Sequence, residues 1–318
     1  MKISENRSDR FMEEEIFYKE EMRCGWKVDQ KTKRVWAVQL EMLDEVERIC
    51  KKHGLKYFAD SGTLIGAVRH QGYIPWDDDI DLVMLREDYE AFIRIAPGEL
   101  RKPLALQTLY AEKNYLRAHA QIRNSQTTGC SKEDRKAGYN CGIFIDIFPL
   151  DAMPEGKLAS RLWAYSVQTL WTILYTWYRF DYYDNATVFG RLLHQLGNLL
   201  HIPMERSFAV YERLCRCFNG KNTSRVCDTV FIRQLEKNTW NRQWFEKMVY
   251  LPFENRMIPA PAGYDGRLRQ EYGDYMKPAQ APTMHGTLLL DPDIPYEEYR
   301  RRGWKKKEQG CRESSSAL

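Results

Sequence analysis

Residues 60–84 read DSGTLIGAVRHQGYIPWDDDIDLVM, with four carboxylates in five positions, Asp77, Asp78, Asp79 and Asp81, running directly into an apolar stretch. Like charges this close repel one another, and near a core they are costly unless a cation compensates them. Side chains alternate along a strand, so a strand over 79–84 puts Asp79 and Asp81 on one face and Ile80 and Leu82 on the other. The apolar partners argue for a buried strand over a solvated acidic loop. Two hard oxygen ligands side by side suit Mg²⁺ or Mn²⁺ and leave coordination positions for water and phosphate oxygens. Asp77 and Asp78 precede the strand as turn residues or outer acceptors.

Upstream, 55–59 reads as a short strand and Ser61, Gly62 and Thr63 as a tight turn into a helix ending near Val68. Glycine lets backbone approach a ligand, and the N–H groups opening a helix can hold phosphate oxygens. Downstream, 143–148 is a strand closed by Pro149, with Asp146 alone among apolar residues. An unpaired buried carboxylate is expensive. Its bland reading is a hydrogen bond to a neighbouring strand end; with an acid pair nearby, a third metal ligand is favoured.

Further out, residues 33–50 carry a helical apolar stripe that stops at His53 and Gly54, where a left-handed cap fits. A helix over 87–95 and strands over 104–109 and 115–123 complete a mixed pattern. From about 158 the chain turns helical, and 162–178 is an uncharged run with Trp163, Val167, Leu170, Trp171, Leu174 and Tyr178 on one stripe. It is short for a membrane span and reads as a buried amphipathic helix. The fold class expected is α+β, a mixed central sheet flanked by helices with an aromatic-rich helical C-terminal half. The expected division is a charged segment 1–30, a catalytic core 31–157, a helical region 158–250, a block 251–299 completing the site, and a basic tail 300–318.

The 318 residues carry 48 basic and 44 acidic side chains, a net +4, too weak and too spread to imply a nucleic-acid partner. With 43% hydrophobic and 29% charged residues a disordered chain is excluded. The eight cysteines show no CxxC pair; reduced thiols are expected, ahead of a zinc site from Cys215, Cys217 and Cys227. The opening 22 residues lack an apolar signal region, so a cytoplasmic protein is expected. Arg300, Arg301, Arg302, Lys305, Lys306 and Lys307 around Trp304 read as a solvated tail, with peripheral contact to an anionic membrane as the alternative.

Other site candidates carry two readings each. Arg69 and His70 can grip phosphate oxygens, or Arg69 can pair with Asp77 and Asp78. Arg123, at a strand end, can reach a bound phosphate or stay solvated. Trp76 can stack on a base or an ammonium group, or plug the core. Tyr264, Tyr272, Tyr275 and Lys277 shape a pocket or pack a helix around Leu268 capped by Gly273. Pro259, Pro261 and Gly263 read as a loop.

The run over 60–85 resembles the signature block of the LicD family, GIFIDIFPLD (142–151) its second block, and LPFENRMIPAPAGYDGRLRQEYGDYMKP (251–278) with His285 its C-terminal block. The likeness covers roughly 30–290, and the first block is long enough to be specific. It implies a nucleotidyltransferase fold and a phosphotransferase that moves a phospho-alcohol, such as phosphocholine or ribitol phosphate, from a CDP-linked donor to a glycan hydroxyl, releasing CMP. By that resemblance Asp79 and Asp81 hold the metal with Asp146 as third acid. Ser61, Gly62 and Thr63 match the phosphate-side turn, and the acceptor is a surface or lipid-linked glycan. Asp146 or Asp81 is then the candidate base. No cysteine set matches the zinc-binding insertion of the related fukutin-related protein. Two competing readings are a nucleotidyltransferase that builds an NDP-linked product from an NTP, and a glycan-binding relative without turnover.

Overall fold

A computed structural model describes residues 17–179, 190, 192, 195–196, 199–278 and 288–304. His285, Lys305, Lys306, Lys307 and most of the expected N-terminal segment lie outside them. A short hairpin, β1 (Glu21–Arg23) and β2 (Trp26–Val28), leads into α1 (Gln30–His53), then β3 (Phe58–Ala59), α2 (Ser61–Arg69), β4 (Asp81–Leu85) and α3 (Arg86–Glu99). Strands β5 (Leu104–Gln107), β6 (Ala120–Asn124) and β7 (Thr128–Cys130) follow, then α4 (Lys132–Ala137) and the long β8 (Ile143–Ala152). Helices α5 (Lys157–Arg179) and α6 (Met204–Cys215) precede β9 (Arg225–Asp228), β10 (Thr239–Asn241), β11 (Met248–Phe253) and β12 (Arg256–Pro261). The C-terminal elements are α7 (Tyr264–Tyr272), β13 (Leu289–Asp291) and α8 (Tyr296–Arg301).

The expected α+β architecture is present. Seven strands, in the order β10-β9-β8-β4-β3 with β6 and β5 branching from β8, form a mixed sheet. Strand β4 runs parallel to β8, and β6 and β9 are antiparallel to it. Helix α1 covers one face: Trp36, Leu40, Leu43, Val46 and Ile49 pack on Leu82, Met84, Ile145 and Ile147. Asp29 caps its start by accepting from the Thr32 N–H at 2.8 Å, and Gly54 ends it at φ 68°. The helical stripe of α5 is buried as expected, with Trp163, Val167 and Leu174 in a core shared with Phe208 and Tyr211 of α6. No described helix is long and apolar enough to cross a membrane.

Several boundaries differ from expectation. Strand β8 does not close at Pro149 but continues to Ala152. The Asp146 N–H donates to Ile80 across the β4 edge, so the missing donor of Pro149, three residues on, faces the opposite edge. That edge changes neighbours there, with β6 pairing last at Ile147 and β9 first at Leu150, so no ladder bond is lost. Pairing of β4 begins at Asp81, opposite Asp146 on β8, rather than at Asp79. The strand expected over 115–123 is β6, shifted to Ala120–Asn124. Pro259 and Pro261 belong to a strand, β12, paired along its length with β11, and not to a loop.

A buried acid beside the sheet sets a pH dependence of stability. Asp228, 2% exposed at the end of β9, accepts from the Val230 N–H at 2.7 Å. Burial first, then the Asp60 and Glu271 carboxylates, push it up to about 8. The folded chain therefore binds this proton more tightly than the unfolded chain, and its stability falls as pH rises from about 4 toward 8. Asp228→Asn removes the effect, so its stability advantage over the parent should widen between pH 5 and pH 8, by up to about 4 kcal/mol. A difference independent of pH in paired thermal melts contradicts this.

Candidate active site

The register of the sheet builds a polar row across its strands. Asp81 on β4 lies opposite Asp146 on β8, Asp146 opposite Gln121 on β6, and Gln121 opposite Gln107 on β5. Directly paired residues share a face, so this row sets two carboxylates and two amides side by side across the sheet. Asp60 extends it beyond β3, its N–H donating to the Asp81 carbonyl at 3.0 Å.

Ligand oxygens of Asp79, Asp81 and Asp146 all lie within 4.8 Å of one another. A second acidic group, Asp77, Asp78 and Asp79, shares Asp79 with the first at the same spacing. Helix α1 holds the backbone of this run. Trp36 Nε1 donates to the Asp77 carbonyl at 3.2 Å and Gln39 Nε2 to that of Asp78 at 2.7 Å.

The carboxyl of Asp81 is held well above the usual carboxylate range, by burial first and then by Asp79 and Asp146. The three carboxylates form an all-oxygen donor set, which suits a hard divalent ion. Asp79, Asp81 and Asp146 offer a donor set that would fit Mg²⁺ or Mn²⁺. Among the described residues no such group includes a cysteine, and Cys215, Cys217 and Cys227 are free thiols.

The turn before α2 packs against the acids. Thr63 Oγ1 accepts from the Asp81 N–H at 2.9 Å and so props the entry to β4. Gly62 lets the turn lie close to the acidic run: a Cβ there would stand 2.3 Å from Asp77 Oδ2, so that carboxyl would have to shift. Ser61 adopts φ 44°, a left-handed conformation rare for serine, at the helix start. Thr63 and Gly62 thus lie against the acidic run, at Asp81 and Asp77.

The remaining candidates sit elsewhere. Arg69 does not pair with Asp77 or Asp78; its Nη1 donates to the carbonyls of Tyr275 at 2.6 Å and Lys277 at 3.3 Å. It pins the C-terminal block to α2. Its Nε donates to His70 Nε2 at 2.9 Å, and burial, with Arg69 and Arg23 nearby, lowers the His70 pKa. Trp76 is half-buried against the rings of Trp26 and His70, at 6.2 and 6.5 Å. Arg123 is neither solvated nor open to a donor: it is 0% exposed and bonded inside the sheet. In the C-terminal block, Leu268 is fully buried on α7 and Gly273 ends that helix, as the packing alternative expects.

Sequence reading missed three partners. Gln121 Nε2 donates to Asp146 Oδ1 at 2.6 Å, and His119 Nε2 lies 3.0 Å from the same oxygen. Arg267, 1% exposed on α7 and stacked 4.2 Å from the Trp240 ring, forms an ion pair with Asp60 beside the turn. Asp60 is nonetheless pushed up to about 7, chiefly by burial. The available signal for Gln121 was its alternation with Arg123, two polar residues on one face of the strand.

Comparison with known proteins places this site in context. The profile described as "LicD/FKTN/FKRP, nucleotidyltransferase domain" matches residues 54–169, which contain all three acids. The chain is 30% identical over 249 residues to the lipopolysaccharide cholinephosphotransferase LicD of Haemophilus influenzae, covering 76% of this chain and 89% of that protein. Uncharacterized proteins of Rickettsia typhi and Rickettsia prowazekii are 44% and 42% identical over 57 residues, covering 18% of this chain and 18% and 21% of their own lengths.

Proposed function

The chain belongs to the LicD family, and from that premise we propose that it transfers a phospho-alcohol, phosphocholine-like, from a CDP-linked donor to a hydroxyl of a cell-surface glycan, releasing CMP. The observation that carries the reading is the meeting of Asp79, Asp81 and Asp146, from two separate stretches of backbone, within 4.8 Å. Support for the substrate class comes from the relative that acts as a lipopolysaccharide cholinephosphotransferase; a lipopolysaccharide-type glycan is accordingly the acceptor proposed.

Asp79, Asp81 and Asp146 would hold Mg²⁺ or Mn²⁺, which supplies charge neutralisation at the donor pyrophosphate and at the departing CMP. The acceptor oxygen attacks the distal phosphorus, the bond from that phosphorus to CMP breaks, and the hydroxyl proton passes to a carboxylate of the acid cluster. The chain's own contribution is position. Thr63 fixes where β4 begins, Trp36 and Gln39 fix the run before it, and Gln121 fixes the carboxyl on β8. The turn at Ser61, Gly62 and Thr63 opens α2 next to the acids and offers backbone N–H groups for phosphate oxygens.

Incubation with Mg²⁺, lipopolysaccharide and a panel of CDP-alcohols tests the reading. CMP release that depends on acceptor supports it. Pyrophosphate release from CTP would assign a nucleotidyltransferase instead, and no turnover with any donor would leave a binding role.

A further inference from the structure

We propose that Gln121, oriented by the buried guanidinium of Arg123, is a positioning residue that fixes the Asp146 carboxylate for the acid centre; the inference rests on the reading of that centre given above. The chemistry of the donors dictates the arrangement. Arginine offers only N–H donors, and Arg123 directs two of them at Gln121 Oε1, from Nε at 3.1 Å and from Nη2 at 2.7 Å. The Gln121 amide must therefore turn its oxygen toward Arg123, which leaves its NH₂ group facing Asp146 Oδ1 at 2.6 Å. An amide without such a neighbour could flip and present its oxygen to the carboxylate, a repulsive contact. Arg123 excludes that state.

The guanidinium is itself locked. Its Nη1 donates to the carbonyls of Gly129 and Gly142, each at 2.9 Å, and its Nε donates to Gln107 Oε1 at 2.6 Å. The Phe144 ring lies 4.7 Å from its central carbon. Arg123 and Gln121 are each 0% exposed, so neither reaches a bound substrate. A charged side chain buried this completely is costly, and its donors are shared between the Gly129 and Gly142 carbonyls, Gln107 and the Gln121 amide that it orients beside Asp146. His119, its ring 4.4 Å from that of Phe148, stands at the same Asp146 oxygen. Groups behind a metal-ligating carboxylate set its direction and basicity, and their loss typically lowers metal affinity or turnover 10–100-fold, on the order of what is expected here.

The test uses the full chain with Gln121→Met, which removes the amide, and Gln121→Glu, which keeps length and the contact to Arg123 but removes the donor toward Asp146. Arg123→Lys keeps the charge and loses the fork. Thermal melts and circular dichroism identify the folded variants. Mn²⁺ affinity is then read by electron paramagnetic resonance, and CMP release from the CDP-alcohol that the parent uses gives kcat and KM. Expected are a roughly 10–100-fold loss of Mn²⁺ affinity and a fall in kcat larger than any rise in KM. A folded Gln121→Glu or Arg123→Lys with parental Mn²⁺ affinity and kcat overturns the relay while leaving the acid centre standing. A parent that binds no Mn²⁺ and releases no CMP overturns the centre, and the relay with it.

Discussion

Asp81→Asn is expected to lower transfer by at least ~10²-fold while making the metal-free protein more resistant to heat. The two effects have one cause. Asp81 is half-buried beside the buried Asp79 and Asp146, and its carboxyl is held far above the normal range by desolvation and by those neighbours. Removing that charge relieves repulsion in a chain without a cation, so the melting temperature in EDTA should rise. The same change removes a ligand oxygen where charge on the donor phosphates must be neutralised in the transition state, so turnover should collapse. A residue held only for packing would show the reverse, a destabilised protein with proportionate loss of activity. Asp81→Asn with near-parental CMP release contradicts the assignment, and so does a lowered melting temperature in EDTA.

Arg86→Met should cost about 3–5 kcal/mol of stability, the largest structural effect expected from one substitution outside the acid centre. Arg86 opens α3 directly after β4, and its Nε and Nη2 grip the two oxygens of Asp151 near the end of β8 at 2.8 and 2.5 Å. Asp151 is 0% exposed and also accepts from Asn219 at 2.7 Å and Thr229 at 3.2 Å. Without the guanidinium its carboxylate stays buried with neutral donors alone, which is why breaking such a pair costs more than replacing it whole. The double variant Arg86→Met, Asp151→Leu should accordingly recover part of the loss. Urea unfolding measures all three chains. A single-variant loss below about 1 kcal/mol contradicts this account of the pair.

Much of the site was legible because its residues break local rules. A strand cannot tolerate two acids on one face beside a core without a reason, and Asp146 alone among Ile143, Phe144, Ile145 and Ile147 is equally conspicuous. Period two placed Asp79 and Asp81 on one side even though pairing starts two residues late. Helix α1 was readable because stripe, cap and breaker agreed.

Register was not readable. Whether Asp146 stands opposite Asp81 or one residue off depends on tertiary pairing, and so does the place of Gln121 beside it. Arg123 shows the cost of that gap. Read as the end of a strand it looked exposed; seen with β7 and the start of β8 folded over it, it is enclosed. Pro149 misled for a related reason, since a missing donor matters only where an edge needs one. The Asp60–Arg267 pair joins residues 207 positions apart in the chain, a contact no local pattern announces.

The most direct measurement is a Mn²⁺ titration of the parent and of Asp146→Asn by electron paramagnetic resonance. Binding by the parent and a loss of at least about tenfold in the variant is the result expected if one ion draws ligands from both β4 and β8. Equal binding by the two chains, with Asp146→Asn folded, would contradict it.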